Sequence, residues 1–475
     1  MDQSAVNWHK YAMLLCFHVE KLLVRYGKKL FYVYNEPSII GISSYLISIG
    51  GTFMSKIDNE FSLTSVPQGN RSGFWKILAV MLGLTFFSAS MWSGGELGMG
   101  LSFGQFLLIV LAGNLLLGLY TGTLAYIAAK TGLSTHLLSR YAFGEKGSYL
   151  SSFLLGITQV GWFGVGVAMF AVPVQKVTGI NVYILIGIAG ILMTVTAIYG
   201  IKALALLGMV AVPAIAILGS YSAFQAADAV GGMQGLFDYQ PMEAMGLAAA
   251  LTICIGSFIS AGTLTPDFTR FAKTSRSAVV ATVIAFFLGN SLMFLFGAVG
   301  SIAYGQSDIS EVMFLQNLIV PAIIVLGLNI WTTNENALYA SGLGFASITK
   351  IDKNKIVVVN GAVGTIAAMW LYNNFVGFLT VLGSALPSIG AIIIADYFIL
   401  KRRKYPRYEM MKFKAVNWMA IIAWAGGVVV ANAIPGIPPI NALLGSAVIY
   451  VTLMKLVPQS EERTINMIDI EEKVS

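Results

Sequence analysis

The segment NIWTTNEN (329 to 336) places two threonines, three asparagines and a glutamate inside an otherwise apolar run. Each unsatisfied polar group in lipid costs several kcal/mol, so such a cluster is tolerated only where it faces protein, an ion or water. In a helix Asn329, Thr332 and Thr333 share one face. Their neutral oxygens favour a monovalent cation such as Na⁺ over Ca²⁺. The spacing predicts a cation site, with the alternative that both threonines bond carbonyls of their own helix.

Two further polar residues of this segment face other directions. Asn334 carries a donor and an acceptor and lies one step from the proposed ion ligands. Glu335 points about 100° further round the helix. An intramembrane carboxylate is a functional candidate by default, so a proton site at Glu335 stays open. Protons rank below sodium because no second acid or histidine occurs at comparable depth.

A second group of candidates suits a flat solute that forms hydrogen bonds. In TQVGWFGVG (158 to 166), Gln159 and Trp162 are three residues apart and share a helix face. Stacking of a heteroaromatic ring on the indole contributes about 1 to 3 kcal/mol, and the amide could read the ring's edge. The alternative is a tryptophan that only packs between helices. Further along the chain, Ser257, Phe258 and Ser260 add two hydroxyls and another ring.

The composition shows which environment positions these residues. Of 475 residues, 57% are hydrophobic and 11% charged, and the mean hydropathy is +0.77, whereas soluble domains carry about 25% charged residues. We therefore predict an all-α integral membrane protein. The net charge of +7 lies in short loops, which indicates topology rather than a nucleic-acid surface. Cys16, Cys254, His9, His18 and His136 show no disulfide or metal-ligand spacing, so we expect solvated or capping histidines.

Twelve segments are apolar enough to cross about 30 Å of hydrocarbon. Lys and Arg concentrate in the loops that follow even-numbered spans, including KRRKYPR (401 to 407), and therefore mark the cytoplasmic face. Both termini are predicted to be cytoplasmic, with the protein in the inner (plasma) membrane. The spans lie near 75 to 98, 104 to 129, 149 to 175, 182 to 200, 203 to 225, 245 to 266, 277 to 304, 318 to 346, 355 to 372, 375 to 400, 415 to 433 and 438 to 455.

The spans repeat along the chain. A shift of 172 residues superimposes spans 1 to 5 on spans 6 to 10. Because five crossings is an odd number, the second copy has inverted topology. We therefore predict one repeat over residues 74 to 226, an inverted repeat over 245 to 400, and two additional helices over 410 to 457.

Inverted repeats place their ligand at the midplane, where the first helix of each repeat is broken. LGLTFFSASMWSGG in span 1 and GSFISAGTLTPD in span 6 are both rich in small and polar residues, with FSAS (87 to 90) aligned on ISAG (259 to 262). We predict that both helices are discontinuous there, rather than only closely packed through small residues. Carbonyls around Gly83 to Phe87 would then complete the cation site.

The two ends of the chain are predicted to lie outside the membrane. Residues 1 to 73 form a cytoplasmic region and residues 458 to 475 a cytoplasmic tail. Met54 begins MSKIDNEFSLTSVPQGN, a polar lead-in typical of the start of such proteins. We therefore interpret residues 1 to 53 as an upstream extension without a role in transport.

Long stretches in both repeats carry a family resemblance, including VMLGLTFFSASMW (80 to 92), TQVGWFGVGVAMFA (158 to 171) and VLGLNIWTTNENALYASGLGFA (325 to 346). From about residue 63 to 457 the chain resembles cytosine-transporting members of the nucleobase:cation symporter-1 family. The resemblance implies the leucine-transporter fold, with five-plus-five inverted repeats and two further helices. The residues implied to hold the base are Gln159, Trp162, Ser257, Phe258, Ser260 and Asn334. The residues implied to hold Na⁺ are Gly83, Phe87, Asn329, Thr332 and Thr333.

The activity implied is import of cytosine coupled to Na⁺ by alternating access, with the bilayer as its setting. We expect no cofactor beyond the coupling ion, no nucleic-acid partner and no required oligomer. A proton-coupled carrier that uses Glu335 is the main alternative. A membrane enzyme acting on bases is disfavoured because the sequence has no His/Cys/Cys zinc arrangement. Direct ATP drive is disfavoured because the sequence has no GxxxxGK[ST] loop.

Overall fold

The computed structural model describes residues 61 to 199 and 201 to 457. The predicted extension over residues 1 to 53 and the predicted tail over 458 to 475 lie outside this part. Short π-helical segments occupy Ala285–Asn290 and Asp396–Leu400. The α-helices are α1 (Phe74–Thr85), α2 (Ser88–Gly100), α3 (Phe103–Thr131), α4 (Thr135–Phe143), α5 (Ser148–Thr178), α6 (Val182–Ala197), α7 (Ile201–Ala229), α8 (Gly232–Asp238), α9 (Leu247–Thr263), α10 (Thr265–Thr269), α11 (Ser275–Ile284), α12 (Ser291–Tyr304), α13 (Ile309–Leu315), α14 (Ile319–Thr349), α15 (Lys353–Asn373), α16 (Phe375–Ala385), α17 (Pro387–Ala395), α18 (Trp418–Ala433) and α19 (Pro438–Leu456).

Helix length and hydropathy identify a multi-pass membrane protein. Seven helices of the described part can cross a membrane, or eight if the bent pair α1 and α2 is one span. Three shorter apolar helices, α6, α9 and α18, fall at predicted spans 4, 6 and 11. Helix α14 has 31 residues and carries the polar NIWTTNEN segment near its centre. The prediction of an all-helical membrane fold is confirmed, while the total of twelve crossings stays a prediction.

The outward faces of these helices are apolar. Leu108 and Leu119 on α3, Ile191 on α6 and Ile366 on α15 are all more than half exposed. Soluble monomers rarely expose large contiguous apolar surface, so these faces indicate contact with lipid. Polar side chains instead lie inside, where α14 packs along α5 and α15 packs against both.

Span 1 is broken where the sequence predicts it. Helix α1 ends at Thr85, Phe86 and Phe87 are non-helical (φ −78°, ψ 84° and φ −128°, ψ 133°), and α2 begins at Ser88. The two helices meet at 51°. The amide of Phe87 donates to the Thr85 carbonyl (3.1 Å) instead of the Gly83 carbonyl four residues back. The break therefore releases backbone oxygens from the helical pattern.

Span 6 is interrupted later than the ISAG segment that aligns with FSAS of span 1. Helix α9 is regular from Leu247 to Thr263, and the interruption falls at Leu264 (φ −88°, ψ 4°). The interruption therefore falls inside the predicted segment GSFISAGTLTPD (256 to 267), while ISAG (259 to 262) itself stays helical. The hydroxyls provide a reason, because Thr263 donates to the Ile259 carbonyl within the same helix (2.8 Å). Polar side chains that bond their own helix need no unwound backbone.

The helix bounds repeat along the chain. Shifting Phe103–Thr131 by 172 residues gives 275 to 303, and the observed span runs from Ser275 to Tyr304. Shifting Ser148–Thr178 in the same way gives 320 to 350, beside α14 at Ile319–Thr349. Helices of matching length thus follow one another in the same order in both halves.

His136 is buried, so the expectation of a solvated or capping histidine is wrong for this residue. Its Nε2 lies 3.4 Å from Asp267 Oδ2, and its Nδ1 lies 3.3 Å from Ser152 Oγ. Asp267 Oδ1 also accepts from the amide of Thr135 (2.8 Å). The cluster ties α4 and α5 to α10. Within residues 61 to 199 and 201 to 457, no group of three or more His, Cys, Asp or Glu side chains could hold a metal ion.

Candidate functional site

The break in span 1 adjoins a small cavity of about 30 Å³. Helices α1, α5, α9 and α14 surround it. Five of the six predicted base-binding residues line it, and the sixth, Ser260, contacts the lining through Trp162. The structure therefore brings together predicted base-binding residues that are up to 175 positions apart in the chain, from Gln159 to Asn334. The lining residues are Leu84, Phe87, Gln159, Trp162, Ser257, Phe258, Ala261, Thr333, Asn334 and Ala337.

Aromatic rings form the walls of the cavity. The Trp162 ring lies edge-on to Phe87, with centroids 5.7 Å apart, and similarly contacts Phe375 and Phe378. Phe258 is supported by Phe286 in a T-shaped contact at 5.4 Å. Edge-to-face pairs of this kind hold ring orientation as well as burying apolar area.

The Trp162 indole is also oriented by a hydrogen bond. Its Nε1 donates to Ser260 Oγ on α9 (3.0 Å). Ser257, one turn earlier, donates its hydroxyl to the Cys254 carbonyl (3.0 Å) and so keeps its oxygen available as an acceptor. Span 6 thus contributes side-chain groups from an intact helix.

Two amides differ in their surroundings. The Nε2 of Gln159 is buried and has no hydrogen-bond partner among the described residues. Asn334 Nδ2 donates to the Phe163 carbonyl and to Met193 Sδ, each at 3.2 Å. A buried donor without a partner costs about 1 to 3 kcal/mol, so Gln159 requires a ligand or water as its partner.

Asn329 joins α14 to the break in span 1. Its Nδ2 donates to the Phe86 carbonyl, and its Oδ1 accepts from Ser88 Oγ (2.8 Å). A single side chain therefore bonds the first non-helical residue, Phe86, and the first residue of α2, Ser88. The predicted association of Asn329 with released backbone near Gly83 and Phe87 is consistent with this geometry.

The two threonines bond their own helix, which was the alternative considered for them. Thr332 Oγ1 donates to the Leu328 carbonyl (2.9 Å) and Thr333 Oγ1 to the Asn329 carbonyl (3.1 Å). A hydroxyl that donates its proton keeps oxygen lone pairs for a cation, so these bonds leave both threonines able to act as the predicted ligands.

The residues predicted to bind a cation lie directly beside the cavity. Thr333 and Phe87 line that cavity. Gly83 faces Thr332 so closely that a Cβ on Gly83 would lie 3.1 Å from Thr332 Cγ2. The glycine therefore allows α1 and α14 to approach each other at this level.

Glu335 is fully buried on a different face of α14. Neither of its carboxylate oxygens makes a hydrogen bond within the described residues. Nearby, Trp331 Nε1 donates to Thr196 Oγ1 (2.8 Å), which joins α14 to α6.

Sequence reasoning missed two residues of this site. Ser88 lies in the FSAS segment, whose small polar character was a usable signal, although no role followed from it for Ser88. Met193 lies on α6 and reaches Asn334 only through packing. A methionine in an apolar span carries no sequence signal for such a contact.

The fold and site define a class of protein: a multi-pass helical membrane transporter with a broken helix beside a buried polar and aromatic cavity. Residues 65–454 match the family described as permeases for cytosine/purines, uracil, thiamine and allantoin. The chain belongs to this family, and the resemblance found in the sequence is confirmed. It is a transporter rather than an enzyme, since its relatives are permeases.

Two relatives differ in how similar their sequences are to this chain. A cytosine permease of Escherichia coli (strain K12) is 57% identical over 396 residues, which cover 83% of this chain and 94% of the relative. A hydantoin permease of Microbacterium maritypicum is 21% identical over 446 residues, which cover 86% of this chain and 89% of the relative.

Solved structures share the fold. Mhp1, a nucleobase-cation-symport-1 family transporter in a closed conformation with bromovinylhydantoin bound, gives a TM-score of 0.74 at 22% identity, covering 83% of this chain and 95% of Mhp1. A Na⁺-coupled sialic acid symporter gives a TM-score of 0.64 at 12% identity, covering 87% of this chain and 97% of the symporter. At these identities the similarity concerns the fold.

Proposed function

We propose that this chain imports cytosine together with Na⁺ by alternating access. The observation that carries the proposal is the cavity in which two aromatic walls, Trp162 and Phe258, enclose the amides of Gln159 and Asn334 beside a broken helix. The 57% identity to a protein named cytosine permease supports the choice of base.

The base would lie between Trp162 and Phe258, with its polar edge toward the two amides and the hydroxyls of Ser257 and Ser260. Stacking on an aromatic side chain contributes about 1 to 3 kcal/mol. The cavity of about 30 Å³ has room for roughly two water molecules. A base therefore enters only when the surrounding helices separate, which is the motion that alternating access requires.

Na⁺ would bind at the adjoining cluster. Its proposed ligands are the backbone oxygens of Gly83 and Phe87 and the side-chain oxygens of Asn329, Thr332 and Thr333. Support comes from the released backbone at the break and from the two hydrogen bonds that hold Asn329 against it. Neutral oxygen ligands suit a monovalent ion.

The coupling is energetically sufficient with one ion. Cytosine is neutral at pH 7, so the membrane potential alone does not concentrate it. One Na⁺ contributes about 2.3 kcal/mol per 100 mV and about 1.4 kcal/mol per tenfold gradient. Together these terms support roughly 500-fold accumulation.

The finer architecture is part of the same proposal. We infer twelve crossings, arranged as two inverted repeats of five spans plus two further helices, in an inner membrane with both termini in the cytoplasm. Support comes from the recurrence of helix lengths after 172 residues and from the basic loops.

Uptake of labelled cytosine into sealed proteoliposomes with an imposed Na⁺ gradient tests the proposal. We expect accumulation that requires Na⁺, and we expect Thr333→Ala to raise the Na⁺ concentration for half-maximal uptake about tenfold or more. Thr349→Ala is a matched control, because Thr349 makes the same bond to the carbonyl four residues back (2.8 Å) at the exposed end of α14. Accumulation that ignores Na⁺ would refute the coupling.

A second coupling ion is favoured by one observation, the buried and unpartnered carboxylate of Glu335. If a pH gradient drives uptake in place of Na⁺, Glu335→Gln should abolish that dependence. If uptake by Glu335→Gln still follows the Na⁺ gradient, the carboxylate is not the coupling group.

A further inference from the structure

The amide of Asn334 has both of its donor hydrogens engaged. An NH₂ group has two hydrogens, and here the two partners are the Phe163 carbonyl and the Met193 sulfur. Both partners are acceptors only. No described residue donates to Asn334 Oδ1, so the oxygen is the one atom of this amide left for a ligand.

Chemistry determines the orientation of this amide. Nitrogen and oxygen of an asparagine are normally placed from their hydrogen-bond network. A reversed Asn334 would set Oδ1 against a carbonyl oxygen and a thioether sulfur with no hydrogen between them, and it would leave buried groups unsatisfied. Packing adds to this, since a Cβ on Gly166 would lie only 2.1 Å from Asn334 Oδ1. The missing side chain of Gly166 therefore leaves the space beside α5 that the Asn334 amide occupies.

Gln159 provides the contrast within the same cavity. Its Nε2 has no partner among the described residues, so no neighbour holds its amide in one orientation. Gln159 can present either its donor or its acceptor to a ligand. Discrimination between bases therefore falls on Asn334.

We propose that Met193, together with the Phe163 carbonyl, is a positioning residue that makes Asn334 an obligate acceptor and thereby selects a pyrimidine with an amino group over one with a carbonyl at the same position. This inference rests on the proposed function. Cytosine presents a 4-amino donor beside an N3 acceptor, whereas uracil presents a carbonyl beside N3–H. Uracil would place its carbonyl oxygen against Asn334 Oδ1.

Met193→Leu tests the inference, because leucine keeps the volume and removes the acceptor. The amide then keeps only the Phe163 carbonyl as a partner, so it is held less strongly in one orientation and can shift to present an N–H to a carbonyl of the ligand. We expect the ratio of the uracil inhibition constant to the cytosine KM to fall roughly three- to tenfold, the value of about one hydrogen bond. Met313→Leu, a buried methionine on α13 that does not line the cavity, should leave the ratio unchanged.

A measurement on the unaltered protein keeps the inference testable if Met193→Leu does not fold. Competition against labelled cytosine should rank unlabelled cytosine above 2-pyrimidinone, which lacks the amino group, and 2-pyrimidinone above uracil. Uracil that competes as well as 2-pyrimidinone would overturn the inference.

The outcomes distinguish a failure of this inference from a failure of the proposed function on which it rests. If the unaltered protein takes up no cytosine, the proposed function fails. If it takes up cytosine and Met193→Leu gives the same selectivity ratio as Met313→Leu, only the inference fails. Equal losses for cytosine and uracil would likewise assign Met193 a purely structural role.

Discussion

Two similar segments, FSAS in span 1 and ISAG in span 6, occupy corresponding positions in the two halves of the chain and adopt different structures. The first adjoins a break at Phe86 and Phe87 with a 51° bend. The second lies within the regular helix α9, whose interruption follows later, at Leu264. Span 1 therefore supplies backbone groups to the site, whereas span 6 supplies side chains.

This difference shows that small polar residues allow a membrane helix to break but are not sufficient to cause the break. At the break in span 1, Asn329 bonds the Phe86 carbonyl and Ser88, and Asn290 accepts from Ser90 Oγ (2.7 Å). Partners from two other helices thus satisfy the groups around the break. In span 6 the Ser257 hydroxyl bonds its own helix. Backbone leaves a membrane helix only where another group replaces the lost hydrogen bond.

The largest effect is expected from Asn329→Ala, which removes the side chain that bonds Phe86 and Ser88 at the break in span 1. It leaves the buried Phe86 carbonyl and Ser88 hydroxyl without their partner, at about 1 to 3 kcal/mol for each. We expect loss of Na⁺-dependent cytosine accumulation in proteoliposomes and a lower Tm in detergent. Asn360→Ala is the control, since Asn360 is a buried asparagine bonded to Ser341 (3.0 Å) outside the site. If Asn329→Ala still accumulates cytosine in a Na⁺-dependent way, the break in span 1 does not need Asn329 to keep its structure.

Trp162→Ala should have the next largest effect and should act on the base rather than on the ion. Loss of a stacking surface of about 1 to 3 kcal/mol predicts a roughly 5- to 150-fold higher KM for cytosine. The Na⁺ concentration for half-maximal uptake should stay within about twofold, because Trp162 contacts the break through the ring of Phe87 and donates its hydrogen bond to Ser260 rather than to Asn329. Trp370→Ala on the exposed face of α15 is the matched control. An equal change in Na⁺ dependence would mean that the two sites are not separable.

Ser260→Ala should have the smallest effect on uptake. It tests whether span 6 contributes to the site through its side chains. It removes the acceptor of Trp162 Nε1 while α9 stays helical. One hydrogen bond of about 0.5 to 1.5 kcal/mol predicts a roughly two- to tenfold rise in the cytosine KM with unchanged Na⁺ dependence. Uptake kinetics at several Na⁺ concentrations give both quantities. A large loss of Na⁺ dependence would instead place Ser260 in the cation site.

Local spacing predicted much of the candidate site. Gln159 and Trp162 share a helix face because helical periodicity requires it, and both line the cavity. The same rule grouped Asn329, Thr332 and Thr333, although it left open whether the hydroxyls bond their own helix. Helical spacing could not show that the two hydroxyls bond carbonyls of their own helix, because the choice of partner depends on how close another oxygen or an ion comes.

Contacts between distant segments were beyond local rules. His136 was expected to be solvated or to cap a helix, yet Asp267 and Ser152 enclose it. The sulfur of Met193 reaches Asn334 across 141 positions of the chain. Neither contact has a periodic signal, since each depends on which helices are neighbours.

From the amino-acid sequence alone it follows that this protein is helical, crosses a membrane several times and buries a polar segment at its centre. These properties follow from hydropathy and helical periodicity, which act over one or two turns. The exact position of each break, the continuation of span 6 through ISAG and the direction in which the Asn334 amide faces depend instead on the tertiary structure. Each of these depends on whether a distant group supplies the replacement hydrogen bond.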